Sequence, residues 1–482
     1  MTNDTKTFTY QARIPLDETQ NETLSSYAAL YGTVERCLFR DVCRSLNALS
    51  LKSDYLTEFG ITARQFNGIR ISLEGKIESA KQIRLEQIAQ LKEKILSFKK
   101  KIPKMRNKRQ KHQKTRKLAS IELRLQTLEK ERDEGPVSLC FGSKKLFRAQ
   151  FALEENGYAS FNEWKKEWEE SRSSEIFCIG SKDETAGNQS CALTLDKEGV
   201  AALRVRIPDA LASKAGKYLI IRNIAFVYGL PSIQKALQEN RALSYRFKKD
   251  QRGWRVFISF VQERVPIVTR EHIGAVGIDI NVDHVALVET DAQGNPIYKE
   301  TIPLSTYGKT KDQAKALIGD ACTKIVSFAK EKKKPLVAEK LDFKKKKNTL
   351  KETLPKYARM LSSFHYSQLL QGLDAKCFKE GIEFYQVNPA MTSIIGYLKY
   401  SYRYGLSKHH AAALCIAHRH YQFSEAPTKS PIHTVHKNIH VTCPVPVRKR
   451  DQHVWKFWKD AERKCKAAHA AHFGANRSPC PS

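Results

Sequence analysis

The spacing of apolar residues changes twice along this 482-residue chain, and a chain that changes period in this way cannot be a single repeated layer. From Ile77 onward, Ala80, Arg84, Ile88, Leu91, Ile95 and Phe98 fall at three- and four-residue steps. All but Arg84 are apolar, which marks the seam of a long amphipathic helix. Leu118, Ile121, Leu125 and Leu128 resume the spacing. Between roughly Gly135 and Pro266 the pattern becomes short β-like runs punctuated by Gly, Asn and Asp: 192–195, 202–207, 218–221, 243–247 and 254–261. These predict a barrel or a sandwich. After about Ile273, strands and helices alternate: 277–280 leads into 285–288 as a hairpin, 336–338 is an apolar strand, and helices fit 310–330, 357–379 and 407–421. That order predicts an α/β domain with a mixed sheet. An alternating strand at Thr7 to Ile14 and a helix from about Leu24 to Leu49 precede all of this, and a short basic helix around Trp455 to His469 follows it. The fold class expected is α+β and multidomain, since the length exceeds what one core usually supports.

Charge narrows the partners. Lys and Arg number 83 against 51 Asp and Glu, a formal excess of +32. The surplus is spread along the chain rather than gathered on one amphipathic helix, so a nucleic acid suits it better than a membrane surface. A cationic structural protein is the bland alternative. The densest run, Lys99 to Lys117, holds eleven Lys or Arg in nineteen residues around Pro103. A proline there should interrupt the helix. The expectation is a helical hairpin with a positive tip, where Lys99, Lys100, Lys101, Arg106, Lys108 and Arg109 either grip phosphates or form a solvated charge run. Lys144 and Lys145, in the basic turn FGSKKLF at 141–147, are a second candidate contact. No apolar run approaches the ~20 residues needed to span a bilayer, and no membrane partner is expected. The N-terminus lacks the charged start and apolar stretch of a secretory signal. Eleven cysteines occur singly, with no CxxC pair. They suit buried thiols in a reducing compartment, with no zinc expected. Nothing marks a self-association surface, so monomer and dimer both stay open.

Two acids stand out chemically. Asp279 lies within the apolar run AVGIDINVDHVALVET, where a carboxylate is costly unless a cation or hydrogen bonds compensate it. Glu339 ends the apolar run PLVAE. On neighbouring strands, such a pair suits Mg²⁺ or Mn²⁺, which take carboxylate oxygens together with water and phosphate. Two metals sharing a carboxylate would activate water and steady the leaving oxygen of a phosphodiester. Either acid alone could instead cap a turn or pair with a lysine.

The strings GIDINVDHVALVETDAQGN, LVAEKLDF and QVNPAMTSIIGYLKYSYRYGLSKHHAAALCIAHR occur in that order within Gly274 to Arg419. Together they resemble the catalytic half of the transposon-encoded TnpB (OrfB) proteins, which are similar to type V CRISPR effectors. The first 270 residues resemble that family only in general plan. The resemblance implies a first strand of a wedge-like β-barrel in 1–20, a helical recognition lobe with a basic hairpin tip in 21–135, and the rest of that barrel in 136–270. It further implies a RuvC-like RNase H domain in 271–425 and a basic tail in 426–482. It implies an RNA-guided endonuclease that pairs a guide RNA with double-stranded target DNA beside a short flanking motif, in a prokaryotic cytoplasm near the nucleoid. Asp279 would be the first catalytic acid and Glu339 the second.

The chain departs from that family at two points. The ribbon cysteines are missing, and His409 stands where the third acid is expected, with His410 beside it. An imidazole can bind a borderline metal or act as a general base, but it balances less charge on two Mg²⁺ ions. Asp283 is a substitute ligand only if its strand continues past Asn281. The histidine leaves open a guided DNA-binding protein that cuts weakly or not at all, used for repression or recruitment. A guide-free transposon-associated DNA-binding protein also stays open. Just upstream, Tyr397, Tyr400, Tyr402 and Tyr404 interleave with Lys399 and Arg403, which suits either base stacking beside phosphate contacts or packing at a domain edge. The clusters 332–334 and 344–347, with Lys345 and Lys346 at the heart of the second, bracket the strand ending in Glu339. They would draw nucleic acid to the acids or simply sit in solvent.

Overall fold

The computed structural model describes residues 4–44, 47–133, 135, 137–184, 187–340, 366–427, 432–436, 439–443 and 453–475. Lys345 and Lys346 lie outside them. The chain divides into two compact units, Met1–Gln262 and Glu263–Ser482. Among the described residues no helix is long and apolar enough to cross a membrane. The described cysteines are free, and Cys178, Cys191, Cys322, Cys377, Cys415 and Cys465 are buried.

The first unit begins with β1 (Thr5–Arg13) and α1 (Glu18–Cys43). This helix starts earlier than its apolar spacing suggests because Asp17 and Gln20 form a reciprocal capping box. The same device opens α2 (Ala63–Lys101), with Thr62 and Gln65. Pro103 sits in a tight 3₁₀ turn, Ile102–Lys104, and α3 (Lys108–Asp133) returns antiparallel in sequence sense as a hairpin. Ile88, Ile95 and Ile121 are buried along the seam, and Arg84, its one polar member, donates to the Glu131 carbonyl at 2.6 Å. Most of the basic run is therefore helical rather than a loop. Next come α4 (Phe161–Arg172), β2 (Glu175–Cys178), β3 (Cys191–Leu195), β4 (Ala201–Arg206), β5 (Tyr218–Ile224), β6 (Ser244–Asp250) and β7 (Gly253–Glu263). The strands form two sheets, ordered β1-β7-β6-β2 and β3-β4-β5. Ile176, Tyr245, Phe247, Val256 and Ile258 of one share a core with Leu203, Val205 and Ile221 of the other. No described ladder closes them into a barrel. The basic turn at 141–147 leads not into a strand but into a short helix, Lys144–Ala149, whose N-cap Ser143 accepts from the Leu146 amide.

The second unit contains β8 (Val276–Ile280), β9 (His284–Thr290), β10 (Pro296–Pro303), α5 (Lys311–Lys332), β11 (Leu336–Glu339), α6 (Tyr366–Glu380), β12 (Phe384–Val387), α7 (Lys408–His420) and α8 (Val454–Ala475). Its sheet has the order β10-β9-β8-β11-β12. The first three strands are antiparallel, and β11 runs parallel to both β8 and β12. The sheet is covered on both faces, so its strands are apolar throughout rather than alternating. Val276, Ile278, Leu336 and Ala338 pack with α5 and α6, while Val337, Ala275, Ile416 and Ala417 form a cluster involving α7. Gly277 allows α7 to lie hard against β8, since a Cβ there would stand 2.2 Å from the Ala413 carbonyl oxygen. The unit is mixed α/β, as the strand and helix order predicts. The last helix is no loose tail: Phe457, Trp458, Ala461 and Cys465 are buried in one cluster with Ile395, Leu398 and Leu414.

Candidate active site

Side chains alternate along β8, and with Ile278 on the α5–α6 side, Asp279 shares the opposite face with Gly277. That face is the one α7 covers. Leu336 pairs with Val276 and Val337 with Gly277. Asp279 and Glu339 each stand two residues beyond that last pair. Both acids thus lie near the carboxyl ends of neighbouring parallel strands, on the α7 face of the sheet, where open α/β sheets bind ligands.

Asp279 is 6% exposed and stays an acceptor of two hydrogen bonds on one oxygen. The Asn281 amide donates to Oδ2 at 2.9 Å, and His409 Nδ1 lies 3.1 Å from the same atom. Oδ1 has no described hydrogen-bond partner. Glu339 is half-buried, and the Thr392 hydroxyl donates to its Oε1. His409 occupies the first turn of α7, one residue past Lys408, where Ser407 caps the helix by accepting from the His410 amide. Helix N-termini favour anions, so the same turn suits a phosphate as well as the Asp279 carboxylate. The His409 ring meets His284 edge-on, with centroids 4.8 Å apart.

The structure therefore brings Asp279 and His409 into contact, and Glu339 lies on the neighbouring strand two residues past its last pair with β8. Other expected site residues are placed differently. β8 ends at Ile280, so Asp283 lies in the turn that follows, 74% exposed. Its carboxylate pairs with His284 Nδ1 at 2.7 Å, and that contact holds its pKa below the usual aspartate range. The alternation that would have aimed it at the acids stops before reaching it. His410 is buried with both nitrogens engaged, Nδ1 by the Ser407 hydroxyl at 2.8 Å and Nε2 by the Glu300 carbonyl at 3.0 Å. Burial depresses its pKa. These contacts leave no ring nitrogen for a ligand. Tyr400 is 4% exposed, with its hydroxyl 3.0 Å from His418 Nδ1, so it is a packing residue and not a stacking platform. Lys399 donates to the Ser424 carbonyl at 2.6 Å, which leaves Arg403, exposed beside the Tyr404 ring, as the cation of that segment facing solvent. Lys334 is buried against Glu289 and the Thr290 carbonyl. It precedes β11 and so lies at the strand end opposite Glu339, unable to draw nucleic acid to the acids.

In the first unit, Lys99 pairs with Glu122 at 2.9 Å, while Lys100, Lys101, Arg106, Lys108 and Arg109 are exposed about the hairpin turn. Lys144 and Lys145 are exposed on their short helix. Asn281, His284 and Thr392 complete the site without having been singled out in the sequence. Asn281 and His284 flank the hairpin turn and were within reach of strand alternation. Thr392 carries no local signal.

No family model matches the chain, and no curated protein matches it. Solved structures similar to it include a Cas12f1–sgRNA–target DNA complex, at 10% identity over 86% of this chain and 98% of that one, with a TM-score of 0.36. RuvC from T. thermophilus in complex with a Holliday junction substrate has 18% identity over 31% of this chain and 95% of that one, with a TM-score of 0.22. A CRISPR-Cas12f ternary complex has 12% identity over 86% of this chain and 98% of that one, also at 0.22.

Proposed function

We propose that the chain is a divalent-metal-dependent nuclease of the RuvC type that cuts DNA at sites selected by a bound guide RNA. The observation that carries this reading is that Asp279 and Glu339 lie near the carboxyl ends of adjacent parallel strands, each two residues past their last pair, with His409 hydrogen-bonded to the first of them. A five-stranded sheet with its first three strands antiparallel and the next two parallel to the first also suits an RNase H-like domain. The +32 charge excess suits a protein that grips nucleic-acid backbone while base pairing supplies specificity.

The donor set fits Mg²⁺ or Mn²⁺. Mg²⁺ is held by one or two carboxylates, with waters and substrate phosphates completing its shell, and Asp279 keeps Oδ1 for such an ion. When bound, the ion would polarise the phosphodiester and lower the pKa of an attacking water. Asp279 and Glu339 would hold it. Asn281 and His409 fix the Asp279 carboxylate, and Thr392 fixes that of Glu339. With Nδ1 of His409 turned to Asp279, its Nε2 would be the nitrogen that takes the proton of the attacking water. The α7 N-terminus orients the phosphate.

Guided DNA binding without cutting is a second reading with its own support: among the described residues no three His, Cys, Asp or Glu side chains are grouped to hold a metal. Sequencing the RNA that copurifies with the full chain, then incubating the complex with plasmid carrying the matching sequence, separates the readings. Cutting that requires Mg²⁺ or Mn²⁺ and falls at least ~1,000-fold in Asp279→Asn and Glu339→Gln, with RNA retained, is the expected result. Tight target binding with intact DNA supports the second reading, and copurification without RNA removes the guide from both.

A further inference from the structure

Within the first unit, a cleft of about 960 Å³ is lined by α1, α2, α3, the segment 138–144 and the strands β2 and β6. Its volume lies at the upper end of the ~300–1,000 Å³ typical of small-molecule sites. The cleft owes its width to α2, where Ser72, Gly75 and Ser79 put small residues on one face at three- and four-residue steps. Gly75 is the informative one. Glycine in a helix interior destabilises it relative to alanine, and here neither packing nor backbone demands it: a Cβ at position 75 would meet nothing within 4 Å, and its φ is not in the left-handed region. By contrast, a Cβ on Gly68 of the same helix would stand 2.8 Å from the Phe177 carbonyl oxygen. What Gly75 preserves is open space.

The charges are lopsided. The lining carries six cations and three carboxylates. Each carboxylate already faces a cation: Glu35 holds Lys76 at 2.7 Å, Glu175 holds Arg246, and Glu131 lies 3.9 Å from Arg84. Lys144, Arg172 and Lys248, on three different elements, have no ion-pair partner among the described residues. Phe141 adds a half-buried ring to the same cleft, edge-on to Phe39 and with the Lys76 ammonium 5.9 Å from its centroid, and six serines add hydroxyls that both donate and accept. Unpaired cations call for phosphates, an aromatic face for a base, and hydroxyl-rich walls for a 2′-hydroxyl, which distinguishes ribose from deoxyribose.

We infer that this cleft binds an unpaired segment of RNA, with phosphates on Lys144, Arg172 and Lys248 and a base against Phe141. The inference deepens the RNA-binding part of the proposed function and rests on it for the identity of the polymer. The probe is a mixed-sequence single-stranded RNA oligonucleotide, with DNA of the same sequence as comparison, titrated against the RNA-free full chain by fluorescence anisotropy. Wild type should prefer the RNA. Gly75→Leu, which fills the cleft from a position free of clashes, should keep or raise the unfolding midpoint and weaken RNA binding at least tenfold. Lys248→Gln, on the exposed side of β6, should lower the slope of log affinity against log salt by about 0.7, one single-strand phosphate contact. A folded Gly75→Leu variant with unchanged RNA affinity, or an unchanged salt slope in Lys248→Gln, overturns the cleft and leaves the proposed function standing. Equal losses for RNA and DNA overturn the ribose assignment. If wild type binds no RNA at all, the guided reading falls together with the cleft.

Discussion

Replacing Gly277 by alanine should damage the candidate active site without touching any of its polar residues. The added Cβ would stand 2.2 Å from the Ala413 carbonyl oxygen and 3.0 Å from the Ala417 Cβ, where ordinary contact begins near 3.4 Å. Relieving the clash requires α7 to move off β8 by about 1.2 Å at that level. His409 lies about one turn before Ala413 on the same helix, so its 3.1 Å contact with Asp279 stretches toward ~4 Å, outside hydrogen-bonding range. Overpacking of this kind costs about 1–3 kcal/mol. For a unit of this size each kcal/mol lowers Tm by about 2–4 °C. A misplacement of ~1 Å at a reacting centre costs roughly 100-fold in rate, so guided cleavage should fall by about that factor while RNA copurification persists. Gly319→Ala on α5 is the matched control. A Cβ there meets nothing within 4 Å, so the variant should gain up to ~1 kcal/mol and cut normally. Gly277→Ala protein with wild-type Tm and wild-type cleavage would refute both the packing of α7 on β8 and its role in setting His409.

Lys334→Met should strand the buried Glu289 carboxylate and cost about 3–5 kcal/mol; adding Glu289→Leu should recover most of it in thermal unfolding, and no recovery would mean the pair is not the cause. His418 is held with Nδ1 on the Tyr400 hydroxyl and Nε2 on the Gly294 carbonyl, and burial depresses its pKa. The unfolded chain, with an ordinary histidine near pKa ~6.5, then binds the proton more readily than the native one. The stability His418 contributes is therefore fully present above that value and lost as pH falls below it. The urea midpoint gap between wild type and His418→Asn should narrow from pH 7.5 to pH 5.5; a constant gap would remove His418 from the titration.

Much of the second unit is legible in the residues themselves. The run from Val276 to Thr290 reads as two apolar strands about a short polar turn, and it folds as β8 and β9. Thr310 and Ser407 announce α5 and α7 by capping, which needs only a side-chain oxygen three residues before an amide. The same local signal at Asp17 and Gln20 starts α1 ahead of its apolar stripe, because capping acts where periodicity has not yet begun. Six of the seven described strands of the first unit are equally local, and the four-residue β2 is the one that periodicity did not mark; whether strands close a barrel depends on ladders between distant segments, and here they make two sheets.

Side-chain partnership is where the sequence stops. Adjacent histidines at 409 and 410 look equivalent in the chain, yet a helix turns about 100° per residue, sending one to Asp279 and the other to Ser407 and Glu300. Tyr400 and Tyr402 both sit among basic residues, and packing alone buries the first and exposes the second. Sequence by itself determined the strong positive charge, the periods of the elements and the two acids in apolar strands, because these follow from composition and from neighbours a few residues apart. Tertiary structure decided that β11 lies beside β8 with Val337 paired to Gly277, which puts Glu339 and Asp279 on neighbouring strands, because that pairing is chosen by a core built from residues more than a hundred positions apart, between Val276 and Ile382.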